Sequence, residues 1–465
     1  MEKFSLIPQP MQYCRKDGEL KIQPHYFCPN GHFLTAAEVM ADAIDRLWNT
    51  TFTQKEGGIL FEACDCLEKN EYRITIDETC TVYCGGEEGA GYAAASLVQL
   101  LRKTEEGFVL PRGEIQDKPQ SEWRGLMVDL ARKWHPVSFL FKYVDLCWLY
   151  KINRLQLHFN DDQSYTLPSK AFPALPTQGR HYTPAELALL EEYASHRGVM
   201  LVPEVDCPGH SRELNIKYPE IFGGNGILCC EEKTFQAIDL ILKEICQLLP
   251  ASTYIHIGGD EAAIEKWNEC PGCVKYREEH GLADIHAQYA HYVNRVAEMV
   301  LSMGKKPVAW EGFGKEYNHM VTKELIMFSW ENHYQSAPEL AAGGFTLLNA
   351  SWMPTYICTP VKAWSRQEIL KWNPRIWTHW WEKSVAYNTI LTVPDDTPVL
   401  GGQMCAWGDN LISYESDYVA SHEEFTWVEK RLPALAERTW QIHGEVAEDE
   451  IWDRIEEIAT TLTGI

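Results

Sequence analysis

The sequence predicts a (β/α)8 barrel preceded by a small α+β domain. Two observations carry that expectation. Eight short apolar strand candidates recur after Trp123 with amphipathic stretches between many of them. Carboxylates, histidines and tryptophans then gather just past the C-terminal ends of those strands, where barrel enzymes build their sites. A third observation separates rivals: a doubly wound open sheet would show a glycine-rich phosphate turn early, and none is present.

The elements follow in order. The first part mixes short strands and helices, such as the alternating run Tyr72–Ile76 and the helically spaced Ala90–Leu101. The polar, proline-bearing stretch Glu114–Glu122 reads as a linker, which divides the chain into 1–118 and 119–465. The barrel strands are expected at Gly125–Leu130, Arg154–Phe159, Val199–Val205, Thr253–Ile257, Pro307–Trp310, Leu325–Trp330, Phe345–Ala350 and Gln403–Trp407. Helical stretches lie at Phe139–Tyr150, Pro184–Arg197, Phe235–Leu249 and Asp284–Met303.

Composition excludes several classes. The formal charge of -24 argues against a nucleic-acid partner, which needs clustered Lys and Arg. No stretch approaches the ~18 apolar residues of a membrane helix. The opening MEKFSLIPQP lacks the hydrophobic core of an export signal, so the expectation is a soluble cytoplasmic protein. The 15 cysteines then read mostly as small buried thiols. The pairs Cys64/Cys66, Cys229/Cys230 and Cys270/Cys273 require checking as metal ligands. Only Cys270-Pro-Gly-Cys273 has zinc-like spacing, and with no second such pair it reads as a turn between thiols.

The strand ends offer Asp129 and Arg132, then His158, Asp161 and Asp162, then Glu204, Asp206 and His210, then His256, Asp260 and Glu261. The last four end in Trp310, Trp330, Trp352, and Trp407 with Asp409. Aromatic faces around carboxylates suit a sugar: CH faces pack on indoles while charged groups bind hydroxyls. Twelve of the 17 tryptophans follow residue 300, a bias toward the site-bearing part of the chain.

The most specific run is His256-Ile-Gly-Gly-Asp260-Glu261. Neighbouring side chains of a strand face opposite sides, so Asp260 and Glu261 share a pocket only if Gly258-Gly259 turn the backbone. Two close carboxyls repel, raising one pKa and keeping it protonated as a general acid. Sequence neighbours cannot flank a sugar from opposite sides, as a nucleophile-and-acid pair must. The alternative is substrate assistance, with a 2-acetamido oxygen attacking carbon one, Asp260 holding its N–H and Glu261 acting as acid and base.

These residues resemble glycoside hydrolase family 20, the exo-β-N-acetylhexosaminidases. The resemblance rests on Arg124-Gly125, Asp129-Leu-Ala-Arg132, Asn160-Asp-Asp-Gln163, Pro203-Glu-Val-Asp-Cys-Pro-Gly-His210, the Asp260-Glu261 run and Trp407-Gly-Asp409. Ile7-Pro-Gln-Pro10 and Gly89–Leu101 resemble its small N-terminal domain. The resemblance implies that Arg132 binds sugar hydroxyls, with Asp161 and His210 supporting the pocket. It implies that Asp260 orients the acetamido group, that Glu261 is the acid/base, and that Trp310, Trp330 and Trp407 wall the sugar. It implies a glycan substrate and neither metal nor cofactor.

Two departures stand out. The family's Trp-Tyr-x-Asp after strand 7 is here Trp352-Met-Pro-Thr355, lacking both the tyrosine and the aspartate, with Tyr356 the nearest phenol. The family's Trp-Gly-Glu ends here in Asp409, one methylene shorter. Both fall where a sugar's 4- and 6-positions would be read, which predicts altered specificity there. The tryptophan-rich segment 360–394 either shapes a leaving-group subsite or subunit contact, or packs an insertion onto the barrel. Two rival functions remain: a catalytically weak sugar-binding relative, and a metal-dependent hydrolase using His158, His210, His256 and Asp260.

Overall fold

A computed structural model describes residues 3–465, so Met1 and Glu2 of the opening stretch lie outside the described residues. The fold class is the expected one. Eight parallel strands close into a barrel: Trp123–Asp129, Arg154–His158, Met200–Glu204, Tyr254–His256, Lys306–Trp310, Ile326–Ser329, Thr346–Asn349 and Val399–Ala406. The eighth pairs with both the seventh and the first, which closes the ring. Each strand is buried along most of its length, as a parallel sheet covered on its outer face by helices requires. No helix among the described residues is long and apolar enough to cross a membrane.

The expected helices form at Val137–Leu149, Pro184–His196, Glu232–Leu248 and Ile285–Ser302. Their starts are written locally. Thr183 and Glu186 make a reciprocal capping box with Pro184 at the first helical position, and Asp284 accepts from the Ala287 N–H at 2.8 Å. Inside the barrel, Trp123, Met127, Val202, Tyr254, Val308, Trp310 and Phe328 form a filled apolar core, so the lumen is packed rather than hollow.

The small domain is a mixed sheet whose central strands are Gly107–Asp117, Tyr72–Ile76, Cys80–Cys84 and Ile59–Ala63. Helices Leu34–Trp48 and Glu87–Leu100 pack with it. The expected linker is a correction. Glu114–Asp117 continue the long strand, with Ile115 fully buried between Tyr13 and Ile74, and the connection is only 118–122. Polar letters misled because this strand alternates, showing one face to solvent.

Asp117 belongs to the junction between the two parts. Its carboxylate accepts from Tyr72 Oη at 2.8 Å and Trp440 Nε1 at 2.9 Å, and lies 3.5 Å from Lys151 Nζ. Arg124 reaches Tyr92 Oη and the Ser121 carbonyl from the barrel side. The C-terminal helix Asp449–Thr463 packs on both Leu34–Trp48 and Val137–Leu149, bolting the parts together. Cys64 and Cys66, candidates as metal ligands, form a disulfide instead, while most of the free thiols are buried. Pro271-Gly272 is not an isolated turn: it opens the helix Pro271–Glu279, for which Cys270 is the N-cap.

Removing one partner of a buried ion pair strands the other, at a cost of about 3–5 kcal/mol. Asp117→Ala should therefore lower stability by about that amount, measured by urea unfolding. An exposed control, Asp17→Ala, should leave it unchanged.

Candidate active site

Strand register assembles the floor of the site. Asp129 pairs with His158, His158 with Glu204, and Glu204 with His256, placing four ionisable residues in one row at the barrel's C-terminal end. His158 Nδ1 lies 2.9 Å from Glu204 and its Nε2 lies 3.0 Å from Asp161. Glu204 also accepts from Gln156 at 2.7 Å and from the Trp310 indole at 2.8 Å. Burial works to neutralise His158, but the Glu204 charge and hydrogen bonds to Asp161 and Glu204 overcome it and hold the imidazole well above its ordinary pKa.

Arg132 stands on this row. Its guanidinium meets Asp129 at 3.1 Å, Asp161 at 2.9 Å and Asp409 at 3.1 Å, with its face over the Trp407 ring at 4.9 Å. Asp129 fixes the loop by accepting the N–H groups of Ala131, Arg132 and Gly408. Burial alone would raise Asp161, but hydrogen bonds from His158 and His210 and the Arg132 charge hold it far below the carboxylate range.

The strand carrying His256 ends in the expected turn. Gly258 and Gly259 have φ of 69° and 88°, and a Cβ on Gly258 would collide with the Asp206 carboxylate. The Gly259 N–H donates to that carboxylate at 3.1 Å, and Tyr289 Oη donates to the Gly259 carbonyl at 2.5 Å. Glu261 follows at a left-handed φ of 44°. Asp260 is buried, whereas the Glu261 side chain is 49% exposed.

Electrostatics correct one expectation. Burial, together with the Glu261 and Glu204 charges, raises Asp260, with His210 opposing the rise. Glu261 is instead lowered, first by its hydrogen bond with His210 and then by the His210 and Arg132 charges. His210 Nε2 sits 3.4 Å from Glu261 and 3.8 Å from Asp260, with Nδ1 3.3 Å from Asp161. Carboxyl repulsion is thus outweighed at Glu261 by an imidazolium that spacing alone could not place.

A cavity of about 520 Å³ opens above. Arg132, Asp260, Glu261, Trp330, Trp407 and Asp409 line it. Asp161 and His210 lie behind them as partners of Arg132 and Glu261. Trp310 is 1% exposed and lies in the barrel core, its ring centroid 6.5 Å from Trp330 and 6.0 Å from Trp407.

Other lining residues escaped the sequence reading. Glu331 follows Trp330 directly, so its position at the sixth strand's end was the available signal. Its carboxyl is pushed up to about 8, by burial first and then by the Glu261, Glu311 and Asp260 charges. Tyr356, the nearest phenol after the departed aromatic run, does line the cavity, its ring parallel to Trp330 at 6.3 Å. No aspartate follows it in the chain, where Ile357, Cys358 and Thr359 come next. In segment 360–394, Trp364, Trp372 and Trp377 are buried, as packing onto the barrel requires, whereas Trp380 lines the cavity beside Trp352 at 5.2 Å.

Two ionisable trios here have donor atoms within 4.8 Å, His158/Glu204/Asp206 and Asp206/His210/Asp260. Both nitrogens of His158 already face carboxylates, and Asp206 Oδ1 is engaged by Gly259.

Family models locate the chain. Residues 121–443 match the glycosyl hydrolase family 20 catalytic domain, and residues 3–118 match domain 2 of that family. A β-hexosaminidase of Akkermansia muciniphila is 33% identical over 331 residues, covering 63% of this chain and 66% of that protein. A β-hexosaminidase of Vibrio furnissii is 25% identical over 455 residues, covering 87% and 72%. In fold, the chain is similar to a Vibrio harveyi GH20 exo-β-N-acetylglucosaminidase at a TM-score of 0.83 and 22% identity, covering 99% of this chain and 78% of that one. A β-N-acetylhexosaminidase of Bacteroides fragilis gives 0.79 at 22% identity, covering 97% and 94%. With both family models matched in order along a closed barrel and its preceding domain, this chain belongs to glycosyl hydrolase family 20 and is a glycoside hydrolase.

Proposed function

We propose that the protein is a retaining exo-glycosidase that releases a terminal β-linked N-acetylhexosamine with the sugar's own acetamido group as nucleophile. One observation carries the reading. Asp260 and Glu261 both line the cavity, and of the two other acidic groups lining it, Asp409 is held by Arg132 at 3.1 Å and Glu331 is pushed up to about 8. A carboxyl protonated at neutral pH is no nucleophile. Family 20 is a recognised exception to the two-carboxylate scheme, and this pocket suits that exception.

In the first step the acetamido oxygen bonds to carbon one as the glycosidic bond breaks. Asp260 accepts the acetamido N–H and balances the developing oxazolinium charge. Glu261 donates its proton to the departing oxygen, then takes one from water as that water opens the ring. Sugar binding displaces solvent from the half-exposed Glu261 and raises its pKa toward that of a working acid. Trp330, Trp407 and Tyr356 supply flat faces for the ring and acetamido group.

Specificity is proposed at the 4- and 6-positions. Of the cations lining the cavity, Arg132 is committed to three carboxylates and Lys362 lies over Trp364 at 4.3 Å. Such a wall disfavours an anionic substituent, so among altered sugars a galacto configuration is preferred to a sulfated one.

Glu261→Gln should cut turnover of poor-leaving-group glycosides by roughly 10²–10⁴-fold while leaving sugar affinity intact; a mere binder would show no turnover to lose. Asp260→Asn should slow activated and unactivated glycosides alike, and 2-hydroxyl glycosides should be cleaved far more slowly than 2-acetamido ones. Equal rates for those two would remove the acetamido nucleophile.

Catalysis needs Glu261 protonated and Asp260 ionised, and the His210 charge lowers both pKa values. His210→Asn should therefore move both limbs of the kcat/KM profile to higher pH; an unmoved profile refutes this role. In a panel of nitrophenyl glycosides, the N-acetylgalactosaminide should match or exceed the N-acetylglucosaminide, and the 6-sulfated sugar should be poorest. A plain preference for the unsubstituted N-acetylglucosaminide overturns the specificity proposal.

A further inference from the structure

The zinc-like spacing of Cys270-Pro-Gly-Cys273 stands alone in the sequence, but the fold completes it. Cys229 reaches it from the loop before the helix Glu232–Leu248, 41 residues away in the chain. The Sγ atoms of Cys229, Cys270 and Cys273 all lie within 4.8 Å of one another, and Cys229 Sγ is 3.5 Å from Cys270 Sγ. Zinc–thiolate bonds of ~2.3 Å arranged tetrahedrally set sulfur–sulfur edges of roughly 3.8 Å. A disulfide needs ~2.05 Å, and it would leave the third thiol over.

The surroundings are cleared for such a set. A Cβ on Gly223 would strike Cys229 Sγ, and one on Gly272 would strike the Glu231 carboxylate. Glycine at both places lets thiol and carboxylate approach the centre. Glu231 Oε1 lies 3.9 Å from Cys270 Sγ, the nearby oxygen donor for a fourth position. The Cys230 N–H donates to Cys273 Sγ at 3.2 Å, the backbone hydrogen bond that a metal-bound thiolate favours. Cys270 and Cys273 are also held by the N-cap and first turn of one helix, fixing their separation.

We propose that Cys229, Cys270 and Cys273, with Glu231 in the fourth position, form a structural zinc site. It lies outside the sugar cavity and is independent of the substrate assignment. Its role is a staple. The segment leaving Glu261 runs through Trp267, whose indole donates to the Leu228 carbonyl at 2.8 Å, into Cys270. The metal would lock this segment to the loop after the third strand.

Metal content of the untagged, purified chain tests the proposal, together with titration by cobalt(II). Expected are one zinc per chain and, on cobalt substitution, thiolate-to-metal charge-transfer bands with the visible bands of a tetrahedral ion. Cys273→Ser should lose both, and Cys14→Ser, which changes an exposed thiol elsewhere, should lose neither. Should Cys273→Ser fail to fold, the cobalt spectrum of the unaltered chain decides by itself. Chain that takes up neither zinc nor cobalt, or that shows a disulfide between any two of the three cysteines by non-reducing mass spectrometry, overturns the site.

Discussion

The site depends on a ladder of charge buried in the barrel mouth. Arg132, Asp161, His158 and Glu204 alternate in sign, each within 3.0 Å of the next, and all but Arg132 are almost fully buried. Taking such groups out of water is costly, and only mutual pairing and complete hydrogen bonding offset the cost. Breaking any rung leaves an unpaired charge in the interior, so the ladder is rigid. Its upper end holds His210 against Asp161, and His210 in turn sets the proton affinity of Glu261.

Much of this was legible in the sequence because barrel chemistry is tied to strand ends. All eight strands fall where apolar runs predict them, and the Gly258-Gly259 turn is as the adjacent carboxylates require. What was not legible depends on side chains meeting from distant segments. His210 outweighs the repulsion between Asp260 and Glu261, reversing which of the two is raised. Glu331 gave no signal beyond following Trp330, and Cys229 lay too far along the chain to be joined to Cys270 and Cys273. The small domain's last strand was missed for a simpler reason: Glu114–Asp117 look like a linker until Ile115 is seen buried between two neighbours.

No described residue of the small domain lines the cavity, yet the domain is not a passive appendage. Gln99 donates to the Leu149 carbonyl at the end of the first barrel helix, and Asp117 engages both Lys151 and Trp440. Lys151 and Asn153 lead into the second strand, which carries His158. The base of the barrel is thus clamped on the side from which the ladder is built.

The row Asp129, His158, Glu204 and His256 also constrains how the gene can change. Side chains alternate along a strand, so deleting one codon within any of these four would turn its ionisable group away from its partners. Length variation is therefore confined to the connections, and these carry the residues facing the ligand. Related genes can diversify what they recognise through insertions there, while the buried row beneath stays in register.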